Sequence, residues 1–167
     1  MSEIEAMAEF NPAQFREALG RFATGVAIVT CPGGEGGPVG VTVNSFSSLS
    51  LEPPLILWCL DNKSYRGETF QSCGVFAVNV LARAQQALSV RFSESGQHDF
   101  TGIRYQDGGN GAPVLPDALA VFECDVAARH EGGDHTIFVG RVTGMRSRDG
   151  EPLLYYRGRY RGIGPHH

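Results

Sequence analysis

Ala120-Val121-Phe122-Glu123-Cys124-Asp125-Val126-Ala127-Ala128-Arg129-His130-Glu131-Gly132-Gly133-Asp134-His135-Thr136-Ile137-Phe138-Val139-Gly140 is the stretch on which the fold turns. Every second residue from Ala120 is apolar (Ala120, Phe122, Cys124, Val126, Ala128), and Glu123, Asp125 and Arg129 fall between them. Side chains along a strand point alternately to opposite faces, so a period of two predicts a half-buried strand over 120–130. Glu131-Gly132-Gly133-Asp134 then predicts a hairpin turn, because glycine supplies the positive φ that tight hairpins need. A return strand follows over 135–146.

Working outward, short β-like runs predict strands over 26–30, 39–43, 55–60, 75–81 and 153–160, separated by glycine clusters at 33–37 and 108–111. The 33–37 stretch is read as mobile. Helices are fewer. Asn11-Pro12 reads as an N-cap with proline at the first helical position, and Phe15, Leu19 and Phe22 follow at helical spacing. A second helix is expected over 64–73, closed by Gly74, and a third over 84–92. The 95–116 loop is long for a compact domain. The expected organisation is a flexible segment over 1–10 and one domain over 11–162, mainly β, a small barrel with peripheral short helices.

Composition agrees. A chain of 167 residues carries one hydrophobic core comfortably. With 42% hydrophobic and 19% charged residues it has the balance of a folded soluble domain, not a disordered one. Eighteen acidic against fourteen basic residues, a net charge of −4, argues against nucleic acid as a partner. The longest apolar run, 55–60, is far short of the ~20 residues that span a bilayer. Met1-Ser2-Glu3-Ile4-Glu5-Ala6 has neither the basic start nor the apolar core of a targeting signal. Cys31, Cys59, Cys73 and Cys124 form no CxxC pair, which suits free thiols in the cytoplasm and supplies no metal-ligand spacing.

Four segments carry candidate chemistry. Gly40-Val41-Thr42-Val43-Asn44-Ser45-Phe46-Ser47-Ser48-Leu49-Ser50 packs hydroxyls and an amide into a β-rich region. Thr42, Asn44, Ser45, Ser47 and Ser48 could line the edge of a flat heteroaromatic ligand, with Phe46 giving face area. The alternative is a serine-rich strand end whose hydroxyls satisfy backbone groups. Asp61-Asn62-Lys63-Ser64-Tyr65-Arg66 follows a buried strand and precedes a helix, where amide groups with Lys63 and Arg66 suit a phosphate. A capped surface helix explains it equally. Gly133-Asp134-His135 places a histidine at a hairpin base, ready to donate to a ligand or to serve as a plain turn residue. Arg157, Arg159 and Arg161 alternate on the predicted last strand, facing an anion, a partner, or solvent at a protected edge. His98-Asp99 is a weak general-base signal, and His166-His167 are set aside as possible tag remnants. There is no GxGxxG, Walker A or GxSxG sequence.

Six motifs in order then resemble one known family. They are the 15–30 run Phe15-Arg16-Glu17-Ala18-Leu19-Gly20-Arg21-Phe22-Ala23-Thr24-Gly25-Val26-Ala27-Ile28-Val29-Thr30, Gly40–Phe46 leading to Pro53-Pro54, Asp61-Asn62-Lys63-Ser64, Phe76-Ala77-Val78-Asn79-Val80-Leu81, Gly133-Asp134-His135 and Pro152-Leu153-Leu154-Tyr155-Tyr156-Arg157-Gly158. Together they resemble the short flavin reductases, reductase components of two-component flavin-dependent monooxygenases.

The resemblance implies an FMN-binding split β-barrel, usually a homodimer, that moves hydride from NADH or NADPH to FMN or FAD. Reduced flavin then reaches a separate oxygenase. It further implies that Thr42, Val43, Asn44, Ser45, Ser47 and Ser48 line the isoalloxazine. Asp61, Asn62, Lys63 and Ser64 would meet ribityl and phosphate, with Arg91-Phe92 near the flavin tail. His135 would seat the nicotinamide nucleotide, with Tyr155, Tyr156 and Arg157 nearby. No catalytic acid or base is implied, since hydride passes directly between stacked rings. Trp58-Cys59 departs from the smaller aliphatics expected there. Two other readings keep the fold: a flavin-dependent reductase of ferric or cobalt-corrinoid acceptors, and a non-enzymatic flavin-binding electron-transfer module.

Overall fold

The computed structural model describes residues 11–94, 96 and 100–164. The expected N-terminal segment 1–10, the His98-Asp99 pair and His166-His167 lie outside the described residues. In chain order the elements are α1 (Pro12–Leu19), β1 (Thr24–Gly25), β2 (Ala27–Cys31), β3 (Val39–Val43), β4 (Ser47–Ser50), β5 (Leu55–Asp61), α2 (Gly67–Ser72), β6 (Val75–Val80), a 3₁₀ turn (Arg83–Gln85) and α3 (Gln86–Ser93). Then come β7 (Gln106–Asp107), β8 (Pro113–Val114), β9 (Ala120–Gly132), β10 (His135–Ser147), β11 (Leu154–Tyr156) and β12 (Arg159–Arg161).

The alternating stretch forms the hairpin β9–β10, each strand 13 residues long, closed by Gly133-Asp134 with Gly133 at φ 73°. It is the spine of a seven-stranded antiparallel sheet ordered β3-β2-β6-β9-β10-β5-β4. Phe122, Cys124 and Val126 turn to one face, as the alternation requires, together with Val29, Val39, Trp58, Phe76 and Phe138. Trp58 is fully buried there, stacked on Phe138 at 4.6 Å and edge-on to Phe70 and Phe76 at 5.3 and 5.8 Å. The Arg129 guanidinium lies 5.4 Å from the Phe138 ring centroid. The unusual tryptophan is thus core packing.

The opposite face is also covered. Ile28, Ala77 and Val121 point into a second cluster with Phe92, Phe100, Leu115 and Leu153. That explains why β2 and β6 read as continuous apolar runs while only β9 alternates visibly. Gly140 permits the close approach at the centre: a Cβ there would lie 2.4 Å from Phe76 Cζ, beside a bulge between Val139 and Gly140.

Three local expectations are corrected. The second helix begins at Gly67, not 64, and its C-cap is Cys73, not Gly74. The preceding residues instead close turns on themselves, with Ser64 N–H donating to Asp61 O at 2.9 Å and Gly67 N–H to Ser64 O at 2.9 Å. The last strand, expected unbroken over 153–160, is the hairpin β11–β12, because Arg157 and Gly158 both take positive φ (51° and 73°). Arg157 therefore sits in a turn and does not alternate with Arg159 and Arg161. The long 95–116 connection holds the short pair β7–β8 and is tied down by side chains. Asn110 donates to Phe76 O at 3.1 Å and Cys124 O at 3.2 Å, and Asn79 Oδ1 accepts from Leu115 N–H at 2.8 Å.

α1 forms where expected, with a reciprocal cap between Asn11 and Gln14 at 2.9 and 3.1 Å. No α1 residue is buried. No helix among the described residues is long and apolar enough to cross a membrane.

Candidate functional site

The residues that follow β3, Asn44 and Phe46, share a groove with the 22–27 segment that contains β1. One part, about 380 Å³, is lined by Phe22, Thr24, Val26, Asn44, Phe46 and Val80. An adjoining part of about 250 Å³ shares Val26 and Asn44 and adds Thr42, Ser93, Tyr155 and Tyr160. Thr42 Oγ1 donates to Ser89 O at 2.7 Å, and the Ser89 hydroxyl meets Tyr160 Oη at 2.8 Å, so α3 fixes this wall. Tyr155 packs edge-on against Tyr160 at 5.6 Å. Asn44 is exposed at the mouth shared by both parts. The Thr24 hydroxyl is buried on the groove wall without a hydrogen-bond partner among the described residues.

Ser45 points the other way, into β5, accepting from Cys59 N–H at 2.9 Å and donating to Cys59 O at 3.0 Å. Val43 is a core residue. Ser47 and Ser48 lie exposed on the edge strand β4, with Ser47 Oγ donating to Ser48 O at 3.0 Å.

At the end of β5 two motifs far apart in sequence converge. Asp61 pairs with His135 in the β5–β10 register. Asn62 N–H donates to Asp134 O at 2.9 Å, its Nδ2 donates to Gly133 O at 3.4 Å, and its Oδ1 accepts from Thr136 Oγ1 at 2.8 Å. Lys63 N–H is held by Asp61 Oδ1 at 2.8 Å. A cleft of about 690 Å³ lies here, lined by Asp61, Asn62, Ser64, Tyr65, Glu68 and Gln71. His135 Nδ1 and Asp134 Oδ1 are 2.6 Å apart. That hydrogen bond, then the imidazole's charge and more weakly Lys63, holds the Asp134 carboxyl below the usual carboxylate range.

The amides expected to greet a phosphate are therefore mostly engaged: those of Asn62, Lys63 and Ser64 each have a partner in the fold. What this turn offers a ligand is its side chains, Lys63 and Ser64. Phe92 is wholly buried, 5.1 Å from Phe100 and beneath Gly40, with no surface to present. Arg91 donates to Thr101 O at 2.7 Å, bracing the 95–116 connection. Tyr155 lines the groove with Asn44, whereas His135 pairs with Asp61 beside the β5 cleft and does not line it; one chain does not bring His135 and Tyr155 to the same cavity. Tyr156 is half-buried on β11. Thr24, Tyr160 and Tyr65 line the cavities without having been singled out by sequence. Only the pairing Thr24↔Tyr155 and Tyr155↔Tyr160 brings the first two in.

A flat heteroaromatic ring asks for apolar walls and polar groups at its rim. Val26, Phe46 and Val80 give the first, and Thr24, Thr42 and Asn44 the second, so the groove fits an isoalloxazine. The unmatched Thr24 hydroxyl is the sharpest sign of that fit, since buried polar atoms normally have partners.

Comparison with known proteins agrees. Residues 19–164 match the family profile of the flavin reductase like domain. The chain is 46% identical over 150 residues to the FMN reductase (NADH) SmoA of Agrobacterium fabrum, covering 90% of this chain and 85% of that one. It is 42% identical to the flavin-dependent monooxygenase reductase subunit HsaB of Rhodococcus jostii, over 99% of this chain and 87% of the other. The solved NADH:FAD oxidoreductase SgcE6 of Streptomyces globisporus, in complex with NAD and FAD fragments, superposes with a TM-score of 0.87 at 36% identity, covering 95% of this chain and 98% of that one. The profile match over residues 19–164, with relatives up to 46% identical, makes the chain a member of the flavin reductase-like family.

Proposed function

We propose that this protein is an NAD(P)H:flavin oxidoreductase that reduces FMN or FAD and supplies the reduced flavin to a separate oxygenase. The observation that carries the reading is the groove shared by Thr24, Val26, Thr42, Asn44 and Phe46, polar at its rim and apolar on its walls. Bound flavin supplies an electrophilic ring nitrogen that takes hydride directly from a stacked nicotinamide. The chain's own work is then to hold two rings in contact and to exclude water between them. Thr42 and Asn44 orient the isoalloxazine edge, Ser47 and Ser48 extend it along β4, and Lys63 and Ser64 hold the ribityl phosphate end. Asp61 and Asn62 shape the turn that presents them. His135, beside that turn, and Tyr155 with Tyr156 seat the nicotinamide nucleotide.

The finer architecture is a split barrel, supported by the single core around Trp58 to which β2, β3, β5, β6, β9 and β10 all contribute. A homodimer is supported by the exposed apolar side chains Phe15, Leu19 and Phe22 at 51, 59 and 78% exposure, which a second copy would cover. It also offers a way to unite the Tyr155 groove with the His135 cleft. The relatives named as reductase subunits of monooxygenases support a separate oxygenase as recipient. Free thiols at all four cysteines suit a cytoplasmic address.

The test is oxidation of NADH and of NADPH, followed by loss of nicotinamide absorbance, with FMN and FAD added in turn. Turnover that requires added flavin is the expected result. Flavin binding without oxidation of either nucleotide would make the protein a binding module instead, and preferential reduction of ferric or corrinoid complexes would shift the acceptor.

A further inference from the structure

Arg157 is the one non-glycine residue among those described whose φ falls in the left-handed region. With Gly158 it forms the two-residue turn between Tyr156 and Arg159, and both central residues take positive φ. Such turns favour Asn-Gly, because glycine has no Cβ and the short polar side chain of asparagine hydrogen-bonds the local backbone, which an arginine does not do. The turn therefore keeps a guanidinium where local backbone preference asks for something else.

Its surroundings give that guanidinium a purpose. Arg157 N–H donates to Gly20 O at 3.0 Å, seating the turn on the end of α1. The seam encloses a cavity of about 410 Å³ lined by Arg16, Glu17, Gly20, Arg157 and Gly158. Glu17 is taken by Arg21 at 3.1 Å, and neither Arg16 nor Arg157 has a carboxylate partner among the described residues. Two exposed cations thus line one cavity whose single carboxylate, Glu17, is already paired with Arg21. The cavity is continuous in the chain with the flavin groove on both sides: Phe22 follows Gly20 by two residues and lines the groove, and Tyr155 precedes Arg157 by two and lines it as well. From Gly20 to Val26 the chain spans at most about 20 Å.

We propose that Arg16 and Arg157 bind a phosphate of the adenylate half of the nicotinamide dinucleotide, whose nicotinamide end occupies the groove. The proposal rests on the hydride-transfer reading above. Planar guanidinium groups suit phosphate oxygens, and a pair of them matches the charge of a dinucleotide's phosphates. FAD carries the same adenylate phosphate chemistry, so the test separates the two sources.

The test compares wild type, R16Q and R157N with FMN as acceptor, using NADH and reduced nicotinamide mononucleotide, which lacks the adenylate. Each substitution is expected to lower the ratio of kcat/KM for NADH to that for the mononucleotide by about tenfold. R157N is also expected to melt roughly 2 °C higher, since asparagine suits the turn. An unmoved ratio in both variants, with wild type active, overturns the proposal alone. So does a loss of FAD affinity with FMN affinity and the NADH ratio retained, which would give the phosphate to the flavin. A lower melting point for R157N overturns the argument from the turn. Wild type that oxidises NADH under no condition overturns both the hydride-transfer reading and the arginine pair.

Discussion

The hydroxyl of Ser45 closes on both main-chain polar groups of Cys59, accepting from its N–H at 2.9 Å and donating to its carbonyl at 3.0 Å. Of the polar run 42–48, this residue continues the sheet where β4 has not yet begun to pair with β5. Removing it leaves two half-buried backbone groups unmatched. Ser45→Ala is expected to cost about 1–2 kcal/mol of stability, read as a lower urea midpoint at unchanged m-value. A midpoint equal to wild type would mean the bridge is replaced by water.

Asn44 and Ser47 stand on the other side of the same run, exposed and turned toward the groove or the β4 edge. Asn44→Ala and Ser47→Ala are expected to raise the flavin dissociation constant roughly threefold to tenfold, measured by quenching of flavin fluorescence. Their unfolding free energies from urea titration should stay within about 0.5 kcal/mol of wild type, as for surface substitutions generally. Unchanged flavin affinity in both would remove the run from the flavin's edge.

His135 and Asp134 form one unit at 2.6 Å. His135→Ala is expected to raise KM for the nicotinamide nucleotide several-fold, with flavin affinity much less affected. The same bond sets a pH marker. The folded Asp134 carboxyl titrates lower than its unfolded counterpart, so the bond's contribution is present above the ordinary carboxylate pKa and is lost as pH falls through the folded value. Carboxyl NMR should place the Asp134 midpoint below that of an unpaired aspartate, and His135→Ala should move it back up. A midpoint that ignores the substitution would show that the bond does not form in solution.

Cys124 titrates in the opposite sense. Burial, with smaller contributions from the charges of Asp125 and Glu123, pushes its thiol from an ordinary 9.0 up to about 12. The unfolded chain loses this proton first, so stability is full below about 9 and declines as pH rises toward 12. Cys31 is raised as well, chiefly by burial and then by its neighbour Cys73. Native protein at mildly alkaline pH is expected to leave Cys31 and Cys124 unmodified by a thiol reagent, and to expose both in urea. Fast native labelling of Cys124 would contradict the packing around it.

How much of this was legible beforehand depended on how locally each feature is written. The β9–β10 hairpin announces itself through alternation and through Gly133, because one face of β9 meets solvent over most of its length. β2 and β6 gave only apolar runs, since both faces are buried, and the second core beneath α3 had no pattern of its own. The sequence predicts a strand through Arg157 because nothing in Tyr156-Arg157-Gly158-Arg159 resembles the Asn-Gly that such a turn prefers. Phe92 stood beside Arg91 in a motif, and only the packing under Gly40 reveals it as core. The groove residues Thr42 and Asn44 could be named from residue type. Thr24 and Tyr160 could not, because strand pairing between distant segments is what brings them in.

Asn62 has one further consequence. Its side chain is bonded to Gly133 and Thr136 on either side of the β9–β10 turn, so the 61–64 turn and the hairpin tip move as one body. Whatever order a ligand imposes on one is already imposed on the other. By thermodynamic linkage, if flavin is held at Lys63 and Ser64 and a nucleotide at His135 as proposed, any factor by which the first tightens the second is returned in full when the nucleotide binds first. Asn62→Ala would remove the side-chain part of this tie and leave the main-chain bond from Asn62 N–H to Asp134 O, so the factor linking the two binding constants is expected to shrink.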